Sequence, residues 1–350
     1  MHHVGMDLHT RMAYLRAITA DGEELDGCKI HFSDIRQLWK YLDQFADDPV
    51  RVVFEAVGNA RWMYRLLRQR PGVEPVVVTP HKVKIIAETV AKTDHIDAGK
   101  LALLSSVDLL PRSWMPDERI ETLREVVRHR SKLVRAGTRA KNEVNGVLVR
   151  CGVQRPYDNI FGVLGRRWLS ELDLPTVMLL QVEKWLEELG AISQKVRSLD
   201  ERLRRMLKDD AAWSADVELL SSIPGVGLVT IATILAELGD YRRFHSRSQV
   251  AAYAGLVPSS KRSAKTARYG RISKRGPSEL RRVLTQAACG VARRVPRYKD
   301  LYDRIRREKC AGVARSAVSR RLIEDAWTIL MKREPFRLTP VQAATLTRAG

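Results

Sequence analysis

Cysteine is scarce in this chain of 350 residues, and the four present (Cys28, Cys151, Cys289 and Cys310) lie far apart with no C-x-x-C spacing. That excludes a disulfide-stapled scaffold and a thiolate zinc site, and reduced thiols in a cytosolic protein are expected. Long apolar runs are missing too. None approaches the roughly 20 residues needed to span a bilayer, so no membrane segment is expected. The opening "MHHVGMDLHT" lacks the apolar core of a secretory leader. Aromatic residues are few, at 6%.

What the chain has in excess is positive charge. Lys and Arg number 61 against 41 Asp and Glu, a net of +20. A field of that size points to a polyanionic partner, above all nucleic acid. The excess is uneven: residues 1–110 hold 14 basic against 15 acidic residues, whereas residues 261–309 hold 17 against 4. Such a concentration exceeds what a merely solvated face requires.

The first third alternates strand and helix signals. "HHVGMDL", "MAYLRAIT" and "KIHFS" read as strands, with a turn at "ADG". "DIRQLWKYLDQF" has Ile35, Leu38, Leu42 and Phe45 at helical spacing, with Asp34 as expected N-cap. "VRVVFEAV" and "VEPVVVT" read as buried strands flanking the helix "ARWMYRLLRQ". Three strands, then alternating helices and strands, imply an α/β sheet with an antiparallel edge and parallel inner strands, the element order of an RNase H-like domain. From about Pro116 to Val149 and from Thr176 to Lys208 the pattern is helical and heavily charged. Leu123, Val126, Val127, Leu133 and Val134 form one apolar stripe, and Leu179, Val182, Leu186 and Leu189 another. An antiparallel helical hairpin or coiled coil would bury both. Further on, Pro224-Gly225-Val226-Gly227 separates two helix signals. It resembles a helix-hairpin-helix, whose turn presents N–H groups to a phosphate; an ordinary corner needing glycine is the competing account.

Four carboxylates stand where chemistry is expected. Asp7 and Glu55 close two strands, and strand ends of an open α/β sheet line a shared crevice. Asp94 and Asp97, in "KTDHIDAGKLALLSS", open a helix one turn apart on one face. Taken singly, each is more easily a cap or turn residue. Together they would repel unless a hard cation such as Mg²⁺ held them, and two such ions could serve both oxygens of a phosphoryl displacement. In "GLVPSSKRSAKTARYGRISKRG", which reads as a loop, Ser259, Ser260, Ser263 and Ser273 lie among cations. By residue type alone such serines are phosphate contacts more often than nucleophiles.

"VGMDLHT", "FEAVGNARWMYRLL", "KTDHIDAGKLA", "SIPGVGLVTIATILAELGDYRRFHSRSQVAAYAGLVPSS" and "GRISKRGPSELRRVL" together resemble the DEDD transposases of bacterial insertion sequences, the insertion-sequence one-ten family, to which Piv-type DNA invertases are similar. The likeness runs from near residue 4 to about residue 330. It implies a RuvC-like RNase H-fold acidic domain (1–112), a coiled-coil middle (113–210), a mostly helical C-terminal serine transposase domain (211–335) and a tail (336–350). It implies that Asp7, Glu55, Asp94 and Asp97 hold Mg²⁺, and that a serine five residues after Pro258, Ser263, is the nucleophile, with Ser273 as second choice. The glycine that usually follows the nucleophile is Ala264 here, and Val57 stands where threonine is common.

Pro224, Gly225, Gly227, Lys261, Arg262, Lys265, Arg268, Arg271, Lys274, Arg275, Arg281 and Arg282 are the expected nucleic-acid contacts. The resemblance further implies donor and target DNA and a structured noncoding guide RNA as partners. It implies a homodimer assembling to a tetramer whose composite site joins two subunits, in the bacterial cytoplasm at the nucleoid. Two rivals remain from the residues alone: a metal-dependent junction-resolving nuclease using only carboxylates and water, and a noncatalytic nucleic-acid-binding protein.

Overall fold

A computed structural model describes residues 1–86, 93–263 and 266–337; the side chains of residues 85 and 260–269 fall outside the described set. The chain divides into two compact units, Met1–Met115 and Pro116–Gly350.

Unit 1 contains β1 (His2–Leu8), β2 (Met12–Ile18), β3 (Glu24–His31), α1 (Arg36–Asp43), β4 (Val50–Glu55), α2 (Ala60–Arg68), β5 (Val73–Val78), α3 (Pro80–Ile86) and α4 (Asp94–Ser106). Its sheet has the order β3-β2-β1-β4-β5. β1 and β2 pair antiparallel, as do β2 and β3, while β1, β4 and β5 run parallel. That is the expected arrangement of antiparallel edge and parallel interior, and it is consistent with a RuvC-like domain. The apolar run of β4 explains its central place: Val50, Val52, Val53 and Phe54 are all buried. Leu38, Leu42 and Phe45 bury the predicted stripe of α1. Asp34 is not the N-cap: Ile35 holds that position without a side-chain bond, and the Asp34 carboxylate instead accepts from Arg36 Nε at 2.8 Å. A local charge pair has displaced the cap.

The last helix of the sheet, α4, lies directly on β1. A Cβ at Gly5 would stand 1.8 Å from the Ala98 carbonyl oxygen and 2.6 Å from the Ala102 nitrogen. Only glycine lets the helix backbone come so near the strand, with Ala98 and Ala102 as its small partners. Thr93 caps α4, its hydroxyl accepting from the Ile96 N–H at 3.3 Å.

Unit 2 is mostly helical: α5 (Glu118–Arg150), α6 (Val163–Ser170), α7 (Thr176–Asp209), α8 (Ala211–Ser221), α9 (Leu228–Leu238), α10 (Arg247–Tyr253), then the hairpin of β6 (Pro258–Ser263) and β7 (Thr266–Ile272), and α11 (Ser278–Arg294), α12 (Pro296–Glu308) and α13 (Ala311–Lys332). The long helices α5 and α7 pack antiparallel: Arg119 pairs with Asp210, Arg130 with Asp200, and Gly137 faces Leu189 and Ile192. The core of this unit gathers Leu235, Leu284, Val291, Tyr298, Leu322 and Trp327 from α9, α11, α12 and α13. Within it Glu237 is fully buried, its carboxylate gripped by Arg128 through two bonds of 2.8 and 2.9 Å. The Arg124 guanidinium donates to the Ala236 and Glu237 carbonyls. This cluster fastens α5 to the end of α9.

One sequence expectation changes form. Pro258–Ser263 and Thr266–Ile272 are two strands paired antiparallel rather than loop. Their Ser-, Lys- and Arg-rich composition lacks the apolar alternation that marks a half-buried strand, so periodicity could not find them.

Candidate active site

The parallel pairing of β1 with β4 runs to Met6 opposite Phe54, so the next residues, Asp7 and Glu55, stand side by side at the C-terminal edge of the sheet. Parallel neighbours in register leave the same face. Gly5 then sets the height of α4, which brings Asp94 to that edge. Asp7 Oδ2 lies 3.1 Å from His9 Nε2, and His9 Nε2 lies 3.5 Å from Asp94 Oδ2. Ligand atoms of these three residues all fall within 4.8 Å of one another.

Asp97, one turn on, accepts from Lys100 Nζ at 2.9 Å. The lysine answers part of the repulsion that two carboxylates at this spacing create. Asp7, 24% exposed at its side chain, carries the electrostatic cost of the arrangement. Burial holds its pKa above the ordinary carboxylate value; His9 pulls it down in part, while Asp94 and then Asp97 push it up. Glu55 is half-buried.

Three of the four expected carboxylates are thereby placed on one edge by their strand or helix, and Glu55 adjoins them in register. His9, which closes a triangle with Asp7 and Asp94, and Lys100 escaped the sequence reading. Lys100 was accessible, as the residue three beyond Asp97 on a helix. His9 follows Asp7 by two positions, but it lies past the strand in a turn, where alternation no longer tells the direction of a side chain.

These residues fit a divalent cation. The donor set is hard, anionic and oxygen-rich, with one imidazole nitrogen, and it lies at a sheet edge rather than in a closed core. The 3.1 and 3.5 Å separations match neighbouring ligands of one ion, which stand about 3 Å apart when bonds are about 2.1 Å.

In unit 2 the expected contacts divide into two kinds. Gly225 has φ +94° and packs its backbone on Gly290 of α11, and Gly227 is the N-cap of α9. The turn from Pro224 to Gly227 thus leads directly into a helix N-terminus. Ser263 ends β6, opposite Thr266 in the register. The side chains of Ser263, Lys261, Arg262 and Arg268, and the whole of Ala264 and Lys265, lie outside the described residues.

Arg271, Lys274 and Arg275 are exposed, and Ser273 is half-buried with its N–H bonded to the Val257 carbonyl at 2.8 Å. Arg281 and Arg282 have scaffold duties. The Arg281 guanidinium donates to the carbonyls of Ala254 and Gly276 at 3.2 and 2.9 Å, and Arg282 Nε donates to Glu279 at 2.9 Å.

Two family models match the chain. A DEDD-type transposase model matches residues 4–152, and a model described as the transposase IS116/IS110/IS902 family matches residues 217–303. Among curated proteins, a probable family 20 transposase of Pseudomonas aeruginosa is 25% identical over 95% of this chain and 98% of its own length. The transposase for insertion sequence element IS1328 of Yersinia enterocolitica is 26% identical over 81% of this chain and 82% of its own. The pilin gene-inverting protein of Moraxella bovis is 23% identical over 85% of each.

Proposed function

Since the chain belongs to the IS110-type family of DEDD transposases, enzymes that cleave and rejoin DNA, we propose that it is the recombinase of an insertion sequence, using Ser263 as nucleophile and Asp7, Glu55, Asp94 and Asp97 as the Mg²⁺-holding set. The observation that carries this reading is the convergence of Asp7 and Asp94 at one sheet edge, in a chain whose other family-matched segment, residues 217–303, contains the serine hairpin. A DEDD domain points to dependence on a divalent ion, and Mg²⁺ is the abundant one. When bound, such an ion neutralises the carboxylates and accepts phosphate oxygens as ligands.

The protein's own groups then do the following. The Ser263 oxygen attacks the scissile phosphorus; the bond to the 3′ oxygen breaks, and the serine proton ends on that leaving oxygen. The products are a phosphoserine ester and a free 3′-hydroxyl, so the phosphodiester energy is retained. Attack of a 3′-hydroxyl on the phosphoserine restores DNA and regenerates serine. Lys261, Arg262, Lys265 and Arg268 are proposed to orient the phosphate and stabilise its developing charge, with Arg271, Lys274 and Arg275 along the same strand and turn. Pro224, Gly225 and Gly227 are proposed as a helix-hairpin-helix phosphate contact. Residues 113–210 are proposed as a coiled-coil domain and 211–335 as the serine domain. The partners proposed are donor and target DNA, a structured guide RNA, and further copies of the chain as a dimer and tetramer.

The test is a trap for covalent adducts. Full-length protein, Mg²⁺, labelled element-junction DNA and the transcript flanking the gene are quenched in denaturant and separated on a gel. An adduct present in the wild type and absent from Ser263→Ala and Asp94→Asn supports the reading. Cleavage without an adduct and indifferent to Ser263 would make the protein a nuclease that uses water.

A further inference from the structure

We propose that His9 is a ligand of the divalent ion at the acidic edge, and that its nitrogen gives the site a preference for Mn²⁺ over Mg²⁺. The inference rests on the metal-site reading above but adds a residue outside the acidic set. His9 Nε2 stands between Asp7 Oδ2 at 3.1 Å and Asp94 Oδ2 at 3.5 Å. An ion seated among them would take one nitrogen and two carboxylate oxygens from two segments of the chain, residues 7–9 and the start of α4.

Two features argue that the imidazole is placed rather than merely near. Both backbone groups of His9 are fixed: its N–H donates to the Met12 carbonyl at 2.9 Å, and its carbonyl accepts from Asn59 Nδ2 at 2.8 Å. The β1–β2 turn and the segment before α2 therefore hold the residue from two sides, and a ligand held by its surroundings loses little freedom on binding. The second feature is Asp97. Its carboxylate is engaged by Lys100, and among the described residues Asp7, His9 and Asp94 are the groups whose donor atoms meet.

The donor type then bears on the choice between Mn²⁺ and Mg²⁺. Mg²⁺ is bound through carboxylate and water oxygens in a strict octahedron and gains little from an imidazole. Imidazole favours transition metals, and Mn²⁺ also accepts carboxylates. A mixed set of two aspartates and one histidine thus favours Mn²⁺ while still admitting Mg²⁺ at high concentration.

The experiment uses full-length protein without DNA. Mn²⁺ is titrated in while the free ion is followed by electron paramagnetic resonance, Mg²⁺ competition gives the preference, and pulsed spectra of the bound ion report nitrogen hyperfine coupling. The expected result is nitrogen coupling in the wild type that disappears in His9→Gln, with the Mn²⁺-over-Mg²⁺ preference falling by about tenfold or more. His9→Ala should weaken Mn²⁺ binding by a similar factor. At 42% exposure its side chain can be replaced without unfolding the sheet, which thermal melts of both variants check.

Mn²⁺ binding without nitrogen coupling, unchanged by either substitution, overturns the proposal and leaves the carboxylate site intact. Failure of the wild type to bind Mn²⁺, or binding indifferent to Asp94→Asn, overturns the metal-site reading itself.

Discussion

At the scale of single residues, the acidic edge stores a conflict that its function requires. Asp7 is held above its ordinary pKa by burial, against the partial relief of His9. A carboxyl whose folded pKa exceeds its unfolded one destabilises the fold when ionised. That cost is present at neutral pH, declines as pH falls through the raised value, and is gone below the ordinary carboxylate value. Asp7→Asn is therefore expected to raise the melting temperature of metal-free protein at neutral pH and to lose that advantage toward pH 4, while abolishing stabilisation by added Mn²⁺. Calorimetry with and without the ion measures both. A lower melting temperature for the variant in metal-free buffer at neutral pH would mark Asp7 as a structural residue. Asp7 and Asp94 could be read from the sequence because strand ends and helix starts have fixed places in an α/β sheet. His9 could not, since turn residues carry no periodicity.

At the scale of elements, the position of α4 depends on a missing side chain. Gly5→Ala drives a methyl group into the Ala98 carbonyl, 1.8 Å away, and no flexible side chain is there to yield. The helix must lift, with Asp94 and Asp97 on its first turn. Overpacking of this kind is expected to cost about 1–3 kcal/mol or more and to weaken Mn²⁺ affinity even though every acidic residue remains. Normal Mn²⁺ affinity in Gly5→Ala would show that α4 does not set the site.

In unit 2 the corresponding fastening is Glu237. Its removal in Glu237→Ala takes the carboxylate from Arg128 and from Arg124, whose side chain is only 7% exposed. A loss of about 3–5 kcal/mol is expected in urea unfolding, and a loss below about 1 kcal/mol would show that water replaces the carboxylate. The strands and helices themselves were legible, because the apolar run of β4 and the stripes of period 3.6 in α1 and α5 are strong. The β6–β7 hairpin was not, for its residues alternate in neither polarity nor size. Gly5 gave no sign of its role either, since a glycine in a strand does not say which backbone will approach it.

At the scale of the whole molecule, charge carries the functional argument, but not every cation of the basic segment contributes alike. Residues 261–309 hold 17 Lys and Arg, and sequence counting treats them as one field. The fold sorts them. Arg281, Arg282 and Arg297 are tied to backbone carbonyls or to Glu279 and Asp325, whereas Arg271, Lys274, Arg275, Lys299, Arg304 and Arg306 are exposed. Exposed cations that meet phosphates release counterions, each changing the slope of log affinity against log salt by about 0.9. Arg271→Ala, Lys274→Ala and Arg275→Ala combined should therefore flatten that slope by about 2 to 3 and weaken every DNA sequence alike.

Arg281→Ala should behave in the opposite way. It loses the bonds to the Ala254 and Gly276 carbonyls that join α11 to the turns at either end of the hairpin. The expected result is a stability loss of about 1–3 kcal/mol, with the salt slope of the remaining folded protein little changed. Filter binding over a range of salt concentrations, paired with urea unfolding, separates the two cases. A slope unchanged by the triple substitution would move the DNA-facing surface away from the hairpin, and the placement of the serine beside the scissile phosphate would fall with it.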